Sequence, residues 1–406
     1  MKKILLFVIL IISVTILYFY KNSKLENFIK NIEKDKLEIT EYYVYGTHLN
    51  FKGTLKDDMN SSNTKLVLKN SNEEIEYDII INDSTFTLSD KINEGINLEK
   101  INDSYYILIK VSNDKDIKYY SFSNKTNYND LDYYSLKKNN NKININFDEY
   151  FKLNTKKNTN KNVYDIVIDA GHGGNDSGAT NGKYYEANFT LEYAKALKNK
   201  LSSLGYKVKL TRENNKTIKT YGKNSRTGIP YEVHSKYLIS IHFNSSEDYI
   251  SQSGIEVYAP NNINLDLAYS LSKNIKKYTN LDYSTNTAYL IKNGVYIKNL
   301  RNIDINNMKN EAKENNFTMY ENVDTNTPYL YIIRETGGII TNAYVDGRNK
   351  KYGANPYYKS NIGTESYLLE LGYINNSKDL KVIINEKNNY VKAIADSLDN
   401  YIKNNS

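Results

Sequence analysis

The sequence predicts an α/β protein with a parallel-rich sheet flanked by helices. An all-β domain, an immunoglobulin-like sandwich, precedes it, and an N-terminal transmembrane helix precedes both. Three observations carry this expectation. From residue 163 onward, short apolar runs alternate with amphipathic helical segments, the pattern of strands covered on both faces by helices. Between residues 39 and 150 the pattern changes to period two, in short runs separated by Asn, Asp and Ser. An uninterrupted apolar run, Ile4 to Tyr20, opens the chain.

That run spans about 25 Å as a helix, against a hydrocarbon core of roughly 30 Å. It follows Lys2 and Lys3, ends in Tyr18, Phe19 and Tyr20, and is not followed by a small-x-small cleavage site. Residues 1–22 therefore read as an uncleaved anchor rather than a secretory signal. Leu25, Phe28, Ile29 and Ile32 recur at helical spacing, so 23–38 reads as a helical stalk. In 39–150, seven runs predict the sandwich: Tyr42 to Phe51, Lys65 to Leu68, Ile75 to Ile81, Thr85 to Leu88, Tyr105 to Val111, Ile117 to Phe122 and Ile143 to Phe147. The region holds one histidine and no chemical cluster, which suits a spacer or a binding module. The polar stretch Leu153 to Asn162 reads as a linker, within 151–162.

In 163–406 the expected strands are Val163 to Asp169, Lys207 to Leu210, Leu238 to His242 and Gly254 to Ala259. A helix is expected from Glu186 to Leu204, closed by Gly205, and another through Leu265, Ala268, Leu271 and Ile275. Ser377 is the expected N-cap before Lys378 to Ile384, and Val391, Ile394, Ala395 and Leu398 mark the last helix.

A length of 406 residues allows two or three domains. The chain has no cysteine, which excludes thiolate zinc sites, iron–sulfur clusters and cysteine nucleophiles. A net charge of +7 is mild for this size and suits an anionic surface; without a dense basic cluster, no nucleic-acid partner is expected. The 40 tyrosines with no tryptophan run parallel to abundant Asn, Lys and Ile, a pattern of compositional bias.

Two of the four histidines stand where apolar strands end: His172 in Ile166-Val167-Ile168-Asp169-Ala170-Gly171-His172-Gly173-Gly174, and His242 in Tyr237-Leu238-Ile239-Ser240-Ile241-His242-Phe243-Asn244. Open α/β sheets place ligands just beyond such carboxyl ends. A third run, Tyr367 to Gly372, carries Glu370, an expensive place for an unpaired charge, and Glu186 heads the predicted helix. Two imidazoles and a carboxylate suit Zn²⁺ with one position left open. A lone histidine at a strand end is more often a satisfied polar residue, and His48 and His234, which lack such company, are read that way. The glycines after Ala170 are not a dinucleotide fingerprint, because Asp176 stands where G-x-G-x-x-G needs glycine. The residues alone point to metal-assisted hydrolysis, with Glu370 as candidate proton carrier.

The same residues resemble the Amidase_3 type of zinc-dependent N-acetylmuramoyl-L-alanine amidase, over roughly 163 to 404. Its carriers are Val167 to Ala179 (VIDAGHGGNDSGA), Glu186, Thr211-Arg212, Ser240 to Asn244 and Leu369 to Asn376. The resemblance implies that His172, Glu186 and His242 hold Zn²⁺ and that Glu370 is the catalytic acid/base. It implies peptidoglycan as partner, cut at the amide between N-acetylmuramic acid and L-alanine. Asn244 and Arg334 are candidate substrate contacts, Arg334 against an ordinary structural ion pair.

A segment at about 284–364, with Tyr329 to Ile333 and a Gly-, Asn- and Tyr-rich stretch from Asn342 to Ser360, does not align with the family pattern. The expected location is the cell membrane, single-pass, with the catalytic domain extracytoplasmic and an activator or wall protein at the sandwich. The lysines at 21, 24, 30, 34 and 36 argue for the opposite orientation, and the substrate overrides them. A zinc peptidase cutting within a wall peptide and a non-catalytic wall-binding scaffold are the rival readings.

Overall fold

The computed structural model describes residues 2–32, 37–114, 116–122, 131–134, 142–148, 151–158, 163–220, 223–246, 251–314, 324–336 and 364–405. The site is built on a seven-stranded sheet. Its strand Ile166–Ala170 lies between Val208–Leu210 and Tyr237–Asn244 and runs parallel to both. Tyr237–Asn244 is parallel in turn to Glu365–Tyr373. Glu256–Tyr258 then pairs antiparallel, Val295–Tyr296 parallel to it, and Leu290–Lys292 closes the edge antiparallel. The sheet is therefore mixed, and parallel across its first four strands.

Helices cover both faces because successive strand residues point to opposite sides. Ile166, Ile168, Ile239, Ile241 and Leu369 pack against Tyr193, Ala194, Leu197 and Leu201 of the helix Glu186–Ser203, and against Val391, Ile394 and Leu398 of the helix Lys387–Asn405. Val167, Leu238 and Leu368 face the other way, onto Ile229, Ile332 and Ile333. One local expectation changes. Asn376, not Ser377, caps the helix Ser377–Asn385, its side chain accepting from the amides of Lys378 and Asp379. The apolar run Tyr329 to Ile333 ends in the short helix Tyr331–Thr336. Within 284–364, Asn302–Glu314 is helical, and the stretch from Asn342 to Ser360 lies outside the described residues.

The preceding region forms two antiparallel sheets around a shared core that includes Leu49, Phe51, Leu66, Leu68, Phe86 and Ile107. The run Tyr42 to Phe51 is split by a turn at Gly46 into the hairpin Ile39–Tyr45 and His48–Thr54. The expected linker is corrected in part: Lys152–Asn158 is a strand paired with Lys142–Asp148, and Leu153 is buried in the core.

The expected stalk is not a free spacer. Residues 23–31 are the end of the helix Lys2–Asn31, and Ile29 and the following Ile32 are buried against Val67, Tyr106 and Leu108 of a sheet. The expected transmembrane span is not supported: among the described residues, no helix is long and apolar enough to cross a membrane. The run's large apolar side chains from Leu10 to Tyr20 are exposed.

The two units meet at the amino ends of the parallel strands, away from the site. Tyr45 Oη donates to the Thr364 carbonyl at 3.0 Å, and Lys236 pairs with Glu99 at 3.3 Å. Glu365 is buried in this seam, where Tyr367 donates to it at 3.1 Å. Burial raises its carboxyl to about 7 from the usual 4.5. The folded protein thus keeps a proton that the unfolded chain releases, so this group's contribution to stability is present below pH 4.5 and lost as pH rises through 7. His48 pulls the other way. Burial first, then Lys236 and Lys100, lower its imidazole to about 4, so its contribution is lost as pH falls from 6.5 to 4. Comparison of the parent with Glu365→Gln isolates the first effect: the variant is expected to gain roughly 3 kcal/mol relative to the parent between pH 5 and 8, read by urea denaturation. Parallel pH profiles would refute this assignment.

Candidate metal centre

The strand Ile166–Ala170 ends in a turn that presents His172 with φ at +58°, left-handed backbone that a histidine rarely adopts. Glu186 is the first residue of its helix, and His242 sits near the end of the strand Tyr237–Asn244. These elements converge: ligand atoms of His172, Glu186 and His242 all lie within 4.8 Å of one another. Glu186 Oε2 stands 3.1 Å from Nε2 of His172, and Oε1 stands 3.0 Å from Nδ1 of His242. The same carboxylate accepts the amides of Ala179 at 2.9 Å and Phe243 at 3.0 Å, which fixes its plane. Burial works against charge on Glu186, yet His172 and His242 hold its carboxyl well below the usual range. For His172 burial again opposes the charge, and Glu186 and Asp176 outweigh it and raise the imidazole.

Two glycines make room. A Cβ on Gly171 would lie 2.4 Å from the His242 ring, and one on Gly178 would lie 2.5 Å from Glu186 Oε2. Two imidazole nitrogens and a carboxylate, neutral or anionic and held on three separate elements, fit a divalent zinc site that keeps one position open. On its far side, Nδ1 of His172 lies 2.8 Å from Asp176, the carboxylate that orients a ligating imidazole. Sequence reasoning does not single out Asp176 in this role, although a carboxylate four residues from a candidate ligand is a usable signal.

Glu370 lies in register with His242 on one neighbouring strand and with Glu256 on the other. Side chains in register share a face of the sheet. Its Oε2 is closed off from solvent with no hydrogen-bond partner among the described residues. Burial raises its carboxyl well above the usual range, and Glu186 and Glu256 add to the rise. Glu256, unremarked in the sequence, is fully buried and held by neutral hydroxyls: Tyr258 at 2.7 Å, Tyr373 at 2.6 Å and Ser284 at 2.7 Å.

Asn244 ends the strand Tyr237–Asn244, its Oδ1 accepting from the Ser245 amide at 2.8 Å. Arg334 takes its structural alternative. It is buried, donates to the carbonyls of Pro328 and Tyr329 at 3.2 and 2.7 Å, and lies 3.6 Å from Glu335. His48 is in the seam between the units, apart from this cluster. His234 is a turn residue with φ at +50°.

The fold and this cluster define an α/β protein with a candidate metal centre at the carboxyl ends of its parallel strands. The family model described as N-acetylmuramoyl-L-alanine amidase, Amidase_3, matches residues 166–400, more than half of the chain, and the chain belongs to that family. It is 31% identical over 219 residues to the "Putative N-acetylmuramoyl-L-alanine amidase" of Buchnera aphidicola subsp. Baizongia pistaciae, covering 50% of this chain and 96% of that protein. It is 37% identical over 115 residues to the "Probable cell wall amidase LytH" of Staphylococcus epidermidis. That match covers 28% of this chain and only 36% of the staphylococcal relative's length. Among solved structures, the catalytic domain of CwlV from Bacillus (Paenibacillus) polymyxa aligns at 23% identity with a TM-score of 0.40, over 59% of this chain and 99% of that one.

Proposed function

We propose that the protein is a zinc-dependent peptidoglycan amidase that hydrolyses the bond between N-acetylmuramic acid and the L-alanine of the stem peptide. The observation that carries this reading is the meeting of His172, Glu186 and His242 beside Glu370, one carboxyl oxygen of which is closed off from solvent. Zinc on the three donors would acidify a water and polarise the scissile carbonyl. Glu370, its proton affinity raised by burial, accepts the proton from the attacking water and returns it to the departing alanine nitrogen. Asp176 holds the His172 ring in place, and Asn244, at the end of the His242 strand, donates to the substrate.

The two-sheet unit is read as an immunoglobulin-like sandwich that serves as a spacer or binds a wall protein or activator. Catalysis is placed outside the cytoplasm, at the cell membrane, because the substrate is there. The exposed apolar side chains of the first helix support a membrane-facing role for that end.

Digestion of purified walls followed by mass spectrometry of the muropeptides tests the activity. Intact stem peptides with a free L-alanine amine are expected, and cleavage inside the peptide would replace the amidase with a peptidase. In the same assay His172→Ala is expected to lose zinc by at least about tenfold in affinity, and activity with it. A variant with the parent's zinc content would remove His172 from the ligand set.

A further inference from the structure

We propose that Arg212 is a positioning residue that locks the His172 turn onto the first turn of the helix carrying Glu186, and thereby sets the spacing of the metal donors; the proposal rests on the zinc reading above.

Arg212 is 1% exposed, so its guanidinium is satisfied wholly from within. Its Nε donates to the Ala170 carbonyl at 3.0 Å, and Nη1 donates to the Asn214 carbonyl at 3.2 Å. Its Nη2 donates to the Gly171 carbonyl at 2.8 Å, the Ala187 carbonyl at 2.7 Å and Thr190 Oγ1 at 3.0 Å. Gly171 precedes one candidate ligand and Ala187 follows another, so one nitrogen spans both elements. Thr190 completes the joint by donating to the Gly171 carbonyl at 2.7 Å.

A second guanidinium secures the rest of the turn. Arg226 donates to the carbonyls of Ala170 and His172 and pairs with Asp169 at 2.7 Å. Asp169 also accepts from Ser240 at 2.8 Å, two residues before His242. The carbonyls of residues 170, 171 and 172 are thus all gripped by arginine donors, which holds His172 in its left-handed conformation. Gly173 shows how closely Arg212 approaches: a Cβ there would lie 2.8 Å from Nε.

A planar fork with five fixed donors can serve acceptors on several elements at once, whereas a lysine ammonium on a flexible stem cannot. The test is Arg212→Lys in the full chain. Zinc affinity is measured by chelator competition, alongside the thermal midpoint of the metal-free protein and kcat and KM. A rise in the zinc dissociation constant of about 10–100-fold is expected in the folded variant, with kcat falling more than KM changes. A folded Arg212→Lys protein that binds zinc as tightly as the parent overturns the proposal, even if its thermal midpoint drops, because that is the signature of a purely structural arginine. If Arg212→Lys does not fold, Thr190→Val decides. Weakened zinc binding supports the joint, and parental affinity refutes it. A parent that binds no zinc would overturn the zinc reading itself, and the two failures are distinguished by that control.

Discussion

Replacing Glu370 by Gln is expected to lower kcat on peptidoglycan by about 10²–10⁴-fold, with zinc still bound. The substitution keeps the shape of the side chain and deletes only its capacity to take and return a proton. Two features make this position suited to that work. Its Oε2 makes no hydrogen bond among the described residues, so no neighbour competes for the proton. Burial, with Glu186 and the in-register Glu256 behind it, lifts its proton affinity well above that of a surface carboxyl. The check pairs metal analysis with muropeptide release by the same preparation. Equal rates for variant and parent would remove Glu370 as the proton carrier, whereas loss of zinc together with activity would assign it to the metal ligands.

The candidate site was legible because each member announces itself locally. His172 and His242 stand at the exits of β-branched apolar runs that read as buried strands, and Glu186 stands at the first position of an amphipathic helix. Glu370 interrupts a buried strand with a charge. What the sequence did not disclose is what holds these residues. Arg226, Asp169 and Ser240 are far apart in the chain and carry no periodic signal, so their network exists only once two strands and a loop are assembled. Glu256 escaped notice for a related reason: strand pairing, not spacing, places it opposite Glu370. Arg334 is open to both readings in the sequence because guanidinium chemistry is the same in a substrate pocket and in a buried backbone clasp, and its burial on backbone carbonyls fits the second. The residues from 152 to 158 read as a linker because their polar composition carries no strand signal, whereas pairing with strands on both sides and the buried Leu153 order them.

The seam between the two units leads to the largest expected loss of stability. Lys236 and Glu99 face each other at 3.3 Å with side chains only 3% and 1% exposed. Burial pushes the Lys236 ammonium down to about 8, with Glu99 the leading opposing influence. Taking one partner from a buried pair leaves the other charge poorly compensated, which costs about 3–5 kcal/mol, whereas exchanging both for apolar residues is close to neutral. Glu99→Ala is therefore expected to lower the unfolding free energy by that amount, and Glu99→Leu combined with Lys236→Leu to recover most of it. The deficit of the single variant should narrow as pH rises towards about 8, because a lysine that has released its proton no longer needs the carboxylate. Urea denaturation of the full chain reads all three results. Single and double variants of equal stability would show that the pair contributes nothing specific. The expected pattern would instead mean that the catalytic sheet is completed by the preceding unit, since Tyr43, Tyr45 and Ile92 of that unit also belong to its buried core. Residues 163–406 alone would then expose this face and Lys236 to water, and unfold more readily than the full chain, while the metal centre at the opposite strand ends keeps its donors.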